Sequence, residues 1–290
     1  MKELPLIVIA GPTASGKTAL AVRITKEFSG EIICADSRTI YRGLDIGTAK
    51  PTREEQWAVP HWGIDLVYPG ERFTAKDFQE YATQKIQEIR NRGKVPVLVG
   101  GTGLYINSVL YDYQFPQQSI SERTKYDTWT IDELIAYCDN NSIVLPNNYR
   151  NKRHLISAIM RKSDIPKRSS RLKQNTYVVG ISTERASLWS RIADRAAVMF
   201  EKSILAEAQK AADTYGWDNE AMTGNIYPLL HRVIEGEITL DEARELFVIR
   251  DRQLAKRQMT WFRRDDNIVW LSLDEAYTYI ARLLADANKS

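Results

Sequence analysis

Apolar residues in this chain come in short unbroken runs separated by helical stripes. Leu6-Ile7-Val8-Ile9-Ala10 is the first run, and Ala19, Leu20, Ile24 and Phe28 follow on one side of a helical pattern. Glu31-Ile32-Ile33-Cys34-Ala35, Val95-Pro96-Val97-Leu98-Val99 and Tyr177-Val178-Val179-Gly180-Ile181 repeat the strand signal, and Asn267-Ile268-Val269-Trp270-Leu271 is a candidate closing strand. Continuous apolar runs without alternation read as strands buried on both faces, the mark of a parallel sheet flanked by helices. Thr74, with Asp77 three residues on, opens a helix whose stripe is Phe78, Tyr81, Ala82, Ile86 and Ile89 and whose stop is Gly93. Further helices are predicted around 185–215 and, opened by Thr239 with Glu242, over 240–262.

Two stretches break the rhythm. Residues 37–72 have the Gly, Pro and Asp content of turns, and so long an irregular stretch inside a domain is more often functional than idle. From Tyr111 to Thr176 polar residues replace the strand–helix alternation, with helical pieces predicted at 131–140 and 152–161. The expected organisation is a first part of the core at 1–112, a mainly helical insertion at 113–175, and core completion with C-terminal helices at 176–290.

Composition narrows the setting more than the chemistry. The 290 residues are 43% hydrophobic and 27% charged, as in an ordinary soluble protein, and a net charge of +3 announces no nucleic-acid partner by itself. Two cysteines, Cys34 and Cys138, are too few for a disulfide scaffold or a zinc finger, so a reducing cytoplasm is the expected location. No apolar run approaches membrane-spanning length, and the first one reads as a strand and not a signal peptide. No self-association seam is legible, and a monomer is expected.

Candidate chemistry starts where the first run ends. Gly11-Pro12-Thr13-Ala14-Ser15-Gly16-Lys17-Thr18 has the spacing G-x-x-x-x-G-K-[ST] between a strand and a helix, the context a phosphate-binding P-loop requires. Its backbone N–H groups and the helix terminus suit a diphosphate, Lys17 adds a mobile charge, and the Thr18 hydroxyl suits Mg²⁺. The fold class sharpens to a P-loop NTPase-like parallel sheet with a helical insertion. Asp36, at the end of the second strand, caps the next turn, faces the phosphate loop, or holds Mg²⁺ through water. Gly100-Gly101-Thr102 follows the third strand, and Thr102 could offer its hydroxyl to a ligand in the same crevice. Between Pro146 and Tyr177 nine Lys or Arg stand against one acid, Asp164, which points to a phosphate backbone. The last helix adds Arg250, Arg252, Lys256 and Arg257, with Arg252 and Lys256 on one face. The usual ligand of such a loop is ATP or GTP, but no guanine-selecting Asn-Lys-x-Asp is present, which leaves a kinase for a small acceptor among the readings.

More specific stretches resemble one family. Gly11–Thr18, Asp36-Ser37, Tyr41–Thr52 (with Gly47-Thr48-Ala49-Lys50-Pro51-Thr52), Pro60-His61, Ile64-Asp65, Asp77-Phe78, Leu98–Tyr105 and Arg252–Phe262 resemble tRNA dimethylallyltransferases, over a span from Ile7 to Trp270. The resemblance implies transfer of a dimethylallyl group from dimethylallyl diphosphate to the exocyclic amine of the adenine beside the anticodon of tRNA, with Mg²⁺ as cofactor. It implies Asp36 as general base, with Lys17 and Thr18 at the departing pyrophosphate. It further implies Gly11, Thr13, Ala14, Ser15, Gly16, Lys17 and Thr18 as the diphosphate cradle. Contact with the tRNA anticodon stem-loop would fall to Asp36, Ser37, Arg38, Thr39, Thr102, Arg153, Arg252, Lys256 and Arg257. The chain departs from the family pattern at Asn151–Ile159, where His154 and Ser157 replace arginines, and at Asn225-Ile226-Tyr227-Pro228-Leu229, where the family has Ile-Gly-Tyr-Arg-Gln. Those departures keep open a tRNA-binding homologue with weakened catalysis.

Overall fold

The computed structural model describes residues 3–115, 120–146, 149–150, 152–161, 167–201 and 203–287. In chain order the elements are β1 (Leu6–Ala10), α1 (Lys17–Glu27), β2 (Gly30–Ala35), α2 (Arg53–Ala58), β3 (His61–Trp62), α3 (Ala75–Asn91), β4 (Val95–Gly100), α4 (Gly103–Leu110), α5 (Ile120–Asp127), α6 (Ile131–Asn140) and α7 (Lys152–Arg161). There follow β5 (Thr176–Ile181), α8 (Arg185–Glu201), α9 (Ile204–Tyr215), α10 (Tyr227–Ile234), α11 (Leu240–Phe262), β6 (Val269–Leu271) and α12 (Leu273–Ala287). The chain forms two compact units, Met1–Tyr111 with Arg171–Ser290, and Asp112–Ser170.

In the first unit the six strands pair in the order β3-β2-β4-β1-β5-β6, all parallel. Every residue of β1, β2 and β4 is buried, which is why these strands read as unbroken apolar runs. Ile7, Ile9, Ile32, Cys34, Val97 and Val99 share one core cluster with Leu20 and Ile24 of α1 and Ile280 and Leu284 of α12. Val8, Ile33 and Leu98, the alternate residues, are equally buried on the opposite face. A second core joins Ile40, Tyr41 and Leu44 to Met199, Phe200, Tyr227 and Phe247.

The ends of four strands set the stage for chemistry. Ala35, Gly100, Ala10 and Gly180 lie in one row at the carboxyl edge of the sheet. A Cβ on Gly100 would stand 2.0 Å from the carbonyl oxygen of Ala35, so only glycine lets these strands pair in that register. The next residues along the chain are Asp36, Gly101 and Gly11, and ligands of open α/β sheets bind at this edge.

The parallel α/β sheet matches the sequence expectation, and so do the capping boxes at Thr74/Asp77 and Thr239/Glu242. Residues 37–72 hold more order than their composition suggested: α2 has its own capping box, Thr52 with Glu55, and β3 joins the sheet edge. Because α2 buries none of its residues, it carries no apolar stripe to betray it. The helical region 185–215 is broken at Ser203, which separates α8 from α9.

The second unit packs Leu134 and Cys138 of α6 against Leu155, Ile156 and Ile159 of α7. Tyr126, Trp129 and Tyr137 close its apolar cluster with ring centroids 5.2–5.5 Å apart. The helices expected at 131–140 and 152–161 are α6 and α7. Arg153 sits on α7, and its side chain lies outside the described residues, as do Asn151, Lys162 and Asp164. Among the described residues no helix is long and apolar enough to cross a membrane.

Candidate active site

A cleft of about 490 Å³ opens at the carboxyl edge of the sheet, entirely within the first unit. That volume is within the range of pockets that enclose a small organic ligand. Thr13, Ala14, Gly16, Lys17 and Thr18 line one side, and Asp36, Ser37, Arg38, Thr39 and Thr102 line the floor and opposite wall. Of the expected cradle, Gly11 and Ser15 lie behind this surface: both are buried, and a Cβ on Gly11 would come 3.1 Å from the Ser15 hydroxyl. The loop's turn depends on left-handed backbone at Ala14 (φ 60°) and Gly16 (φ 88°).

The charged groups face one another across this space. Burial lowers the pKa of Lys17 to about 8; the Asp36 carboxylate opposes the fall and the Arg195 guanidinium adds to it. Lys17 Nζ donates to the Pro12 carbonyl at 3.0 Å, which holds it over its own loop. Asp36 Oδ1 accepts from the Arg38 backbone N–H at 2.8 Å, so one oxygen caps the turn as the sequence allowed. The other carboxylate oxygen accepts no hydrogen bond among the described residues. Thr102 Oγ1 accepts from the Ser37 N–H at 3.0 Å, and its own N–H donates to Ala35 O at 3.2 Å. Thr102 therefore ties the two loops together and is less free than a bare hydroxyl.

Long-range tethers fix the loops. Gln258 on α11 accepts from the Thr13 N–H at 2.8 Å and donates to Gly101 O at 3.1 Å. Arg38 donates through Nη1 to the Glu220 carbonyl at 2.8 Å and to the Thr223 hydroxyl at 3.2 Å. Glu207 on α9 accepts three successive backbone N–H groups, Asp45 and Ile46 at 2.7 Å and Gly47 at 2.9 Å, and the Tyr227 hydroxyl at 2.9 Å. Successive N–H groups closing on one anion form a backbone nest. Burial first, and the Glu207 charge second, push the Tyr227 hydroxyl pKa up, so it stays a donor. Gly47 is glycine because a Cβ there would meet Tyr227 Oη at 2.5 Å. Lys50, buried in the same segment, donates to Tyr41 O, Asp45 Oδ1 and Asp65 Oδ1, each at 2.6 Å. Its three N–H groups are all occupied, so this cleft-lining cation anchors the loop.

Sequence reading missed Arg195, which lines the cleft from α8, and the Asp251–Asn225 pair beside it. An arginine on an amphipathic helix has no local signature of facing a ligand. Arg257 lines the cleft as well, whereas Arg252 and Lys256 lie away from it beside Trp189, with their charges 5.8 and 6.0 Å from its ring centre. Arg185 is 5.5 Å from the same ring, so three cations surround one indole.

The donor set fits Mg²⁺ in one way only. Among the described residues no cluster of three or more His, Cys, Asp or Glu could cage a metal. Thr18 and Asp36 both line the cleft, and the Thr18 hydroxyl makes no hydrogen bond among the described residues. One or two protein oxygens are what Mg²⁺ takes when phosphate oxygens and water complete its shell.

Comparison with known proteins matches the family model described as IPP transferase to residues 39–265. A protein named tRNA dimethylallyltransferase from Macrococcus caseolyticus is 37% identical over 95% of this chain and 93% of its own length. One of the same name from Bacillus subtilis is 34% identical over 93% and 91%. The crystal structure of the full-length tRNA isopentenylpyrophosphate transferase from Bacillus halodurans superposes with a TM-score of 0.74 at 34% identity, covering 99% of both chains. Sequence and fold agree, and the chain belongs to the IPP transferase family.

Proposed function

We propose that this protein is a tRNA dimethylallyltransferase that moves the dimethylallyl group of dimethylallyl diphosphate onto the N6 amine of the adenosine 3′-adjacent to the anticodon. The observation that carries the reading is the facing of a diphosphate loop and a carboxylate, Lys17–Thr18 and Asp36, across one cleft in a chain of this family. The adenine amine is a poor nucleophile because its lone pair is delocalised into the ring. Loosening of the allylic C1–O bond compensates, since the allyl cation is delocalised. As that bond breaks and N6–C1 forms, negative charge collects on pyrophosphate and one N6 proton must leave.

Each change has a group to meet it. Loop N–H groups, the Lys17 ammonium and Arg195 stabilise the departing pyrophosphate. The free oxygen of Asp36 accepts the N6 proton, and an ionised Asp suffices because the amine acidifies as it is alkylated. Thr18 would hold Mg²⁺, which would supply further charge neutralisation at the departing pyrophosphate. The adenine reaches such a cleft only when flipped out of its stack. Ser37, Arg38, Thr39 and Thr102 then bound its pocket, and Arg153, Arg252, Lys256 and Arg257 act on the RNA backbone. The open ring of cations around Trp189 supports that assignment for Arg252 and Lys256.

The test is incubation with dimethylallyl diphosphate, Mg²⁺ and unmodified tRNA bearing adenosine beside the anticodon, followed by digestion and mass measurement of the nucleosides. Isopentenyladenosine from the parent, lost in Thr18→Ala and Asp36→Ala, is the expected result. Bound tRNA without product at saturating donor, or turnover of ATP in place of the prenyl donor, overturns the reading.

A further inference from the structure

Asp251 is a carboxylate in the cleft wall that the reaction above does not use. It stands on α11, is only 3% exposed, and has both oxygens engaged. One contacts Nη2 of Arg195 on α8, and the other accepts from Asn225 Nδ2 at 2.9 Å. Asn225 is itself held, because its backbone carbonyl accepts from Arg250 Nη1 at 3.2 Å. Both Asp251 oxygens thus face side chains of the fold. A buried, paired carboxylate costs desolvation energy, and on stability grounds alone it is a weak investment.

What the pairing does to Arg195 is the informative part. A guanidinium offers five N–H donors in a rigid plane. Asp251 engages one terminal nitrogen, while Nε of Arg195 is buried with no hydrogen-bond partner among the described residues. A buried donor of a charged group left unpaired is costly, and this one belongs to a residue that lines the cleft beside Lys17. An unpinned arginine side chain would have many rotamers and, in Asp36, an opposite charge lining the same cleft. We propose that Asp251, held by Asn225, is a positioning residue that pins Arg195 with its remaining donors free for the diphosphate. The inference rests on the diphosphate reading of the cleft.

The sign of one measurement separates this role from a merely electrostatic one. Removing a negative charge beside an anion site strengthens anion binding; removing the pin weakens it. Calorimetric titration of the full chain with inorganic pyrophosphate in Mg²⁺ would be run on the parent, Asp251→Asn, Asn225→Ala, Arg195→Ala and the Arg195→Ala/Asp251→Asn double variant. The expected results are pyrophosphate affinity about tenfold weaker in Asp251→Asn and a few-fold weaker in Asn225→Ala, the size of a lost charged hydrogen bond. In the Arg195→Ala background, Asp251→Asn changes nothing further. Unchanged or tighter binding in Asp251→Asn overturns the inference, as does full additivity in the double variant. If Asp251→Asn does not fold, the neutral change at Asn225 decides in its place, unchanged affinity there overturning the inference. A parent that binds no pyrophosphate at all removes the diphosphate reading itself, and this inference with it.

Discussion

Glu207→Gln is the sharpest probe of how the Asp45–Pro51 segment is held. The carboxylate takes four donors, two on each oxygen: the Asp45 and Ile46 N–H groups on Oε2, and the Gly47 N–H and Tyr227 O–H on Oε1. Glutamine keeps the shape but turns one acceptor into an –NH₂, which then faces two donors whichever way the amide is turned. Two charge-assisted hydrogen bonds at about 1.5–3 kcal/mol each would set a loss of about 3–6 kcal/mol. The Asp45 end is solvent-exposed and recovers part of it, which brings the expected loss to about 2–4 kcal/mol. That is a large share of a domain stability of about 5–15 kcal/mol, yet leaves a folded protein to assay. Urea unfolding of parent and variant gives the number, and Tyr227→Phe, losing one donor to the same carboxylate, should cost about 1.5–3 kcal/mol. Because Gly47, Thr48, Ala49 and Lys50 line the cleft, pyrophosphate or donor affinity should fall along with stability. A stability loss under about 1 kcal/mol for Glu207→Gln would refute the nest as the organiser of this segment.

Other expectations follow from groups already located. Lys17, its pKa lowered to about 8 by burial, binds an anion as the ammonium, so diphosphate affinity should fall as pH rises through that value, by about tenfold per unit beyond it; comparison with Lys17→Ala removes the ligand's own titration, and parallel profiles would sink the claim. Replacing both Arg252 and Lys256 by Ala should reduce the slope of log affinity for tRNA against log salt by about 1.5, since each backbone contact releases a counterion; an unchanged slope means they do not touch phosphate. The Cys34 thiol, pushed up to about 12 mainly by burial, and Cys138, raised by burial too, should resist thiol reagents at neutral pH until the protein unfolds.

The chain announced its frame and hid its braces. Strands β1, β2, β4 and β5 were legible because burial on both faces leaves an unbroken apolar run, and the P-loop because few residue types tolerate its backbone. The Gly47–Thr52 stretch was recognisable as a pattern but not as physics. Its glycine answers to Tyr227 and the Gly47 N–H to Glu207, partners about 160 to 180 positions away that carry no local mark. Lys50 of the same stretch is fully engaged by Tyr41, Asp45 and Asp65, none of which the local pattern singles out as its partner. The closing helix α12 was passed over although Ser272 and Glu275 form its cap, the same device that betrayed α3 and α11. Asn225, noted only as a departure, turns out to brace Asp251.

The bond between Gln258 and the Thr13 backbone spans 245 positions of sequence. During synthesis the Gly11–Thr18 loop and the sheet's central strand emerge near the start, while the residue that couples that loop to Gly101 emerges almost last. A nascent chain lacking α11 thus has the loop's residues without the wall that faces them. The site is completed by the docking of a late helix, so a stalled or truncated product should neither capture a diphosphate nor compete for it, and full-length protein alone would enter the cell's traffic in prenyl groups.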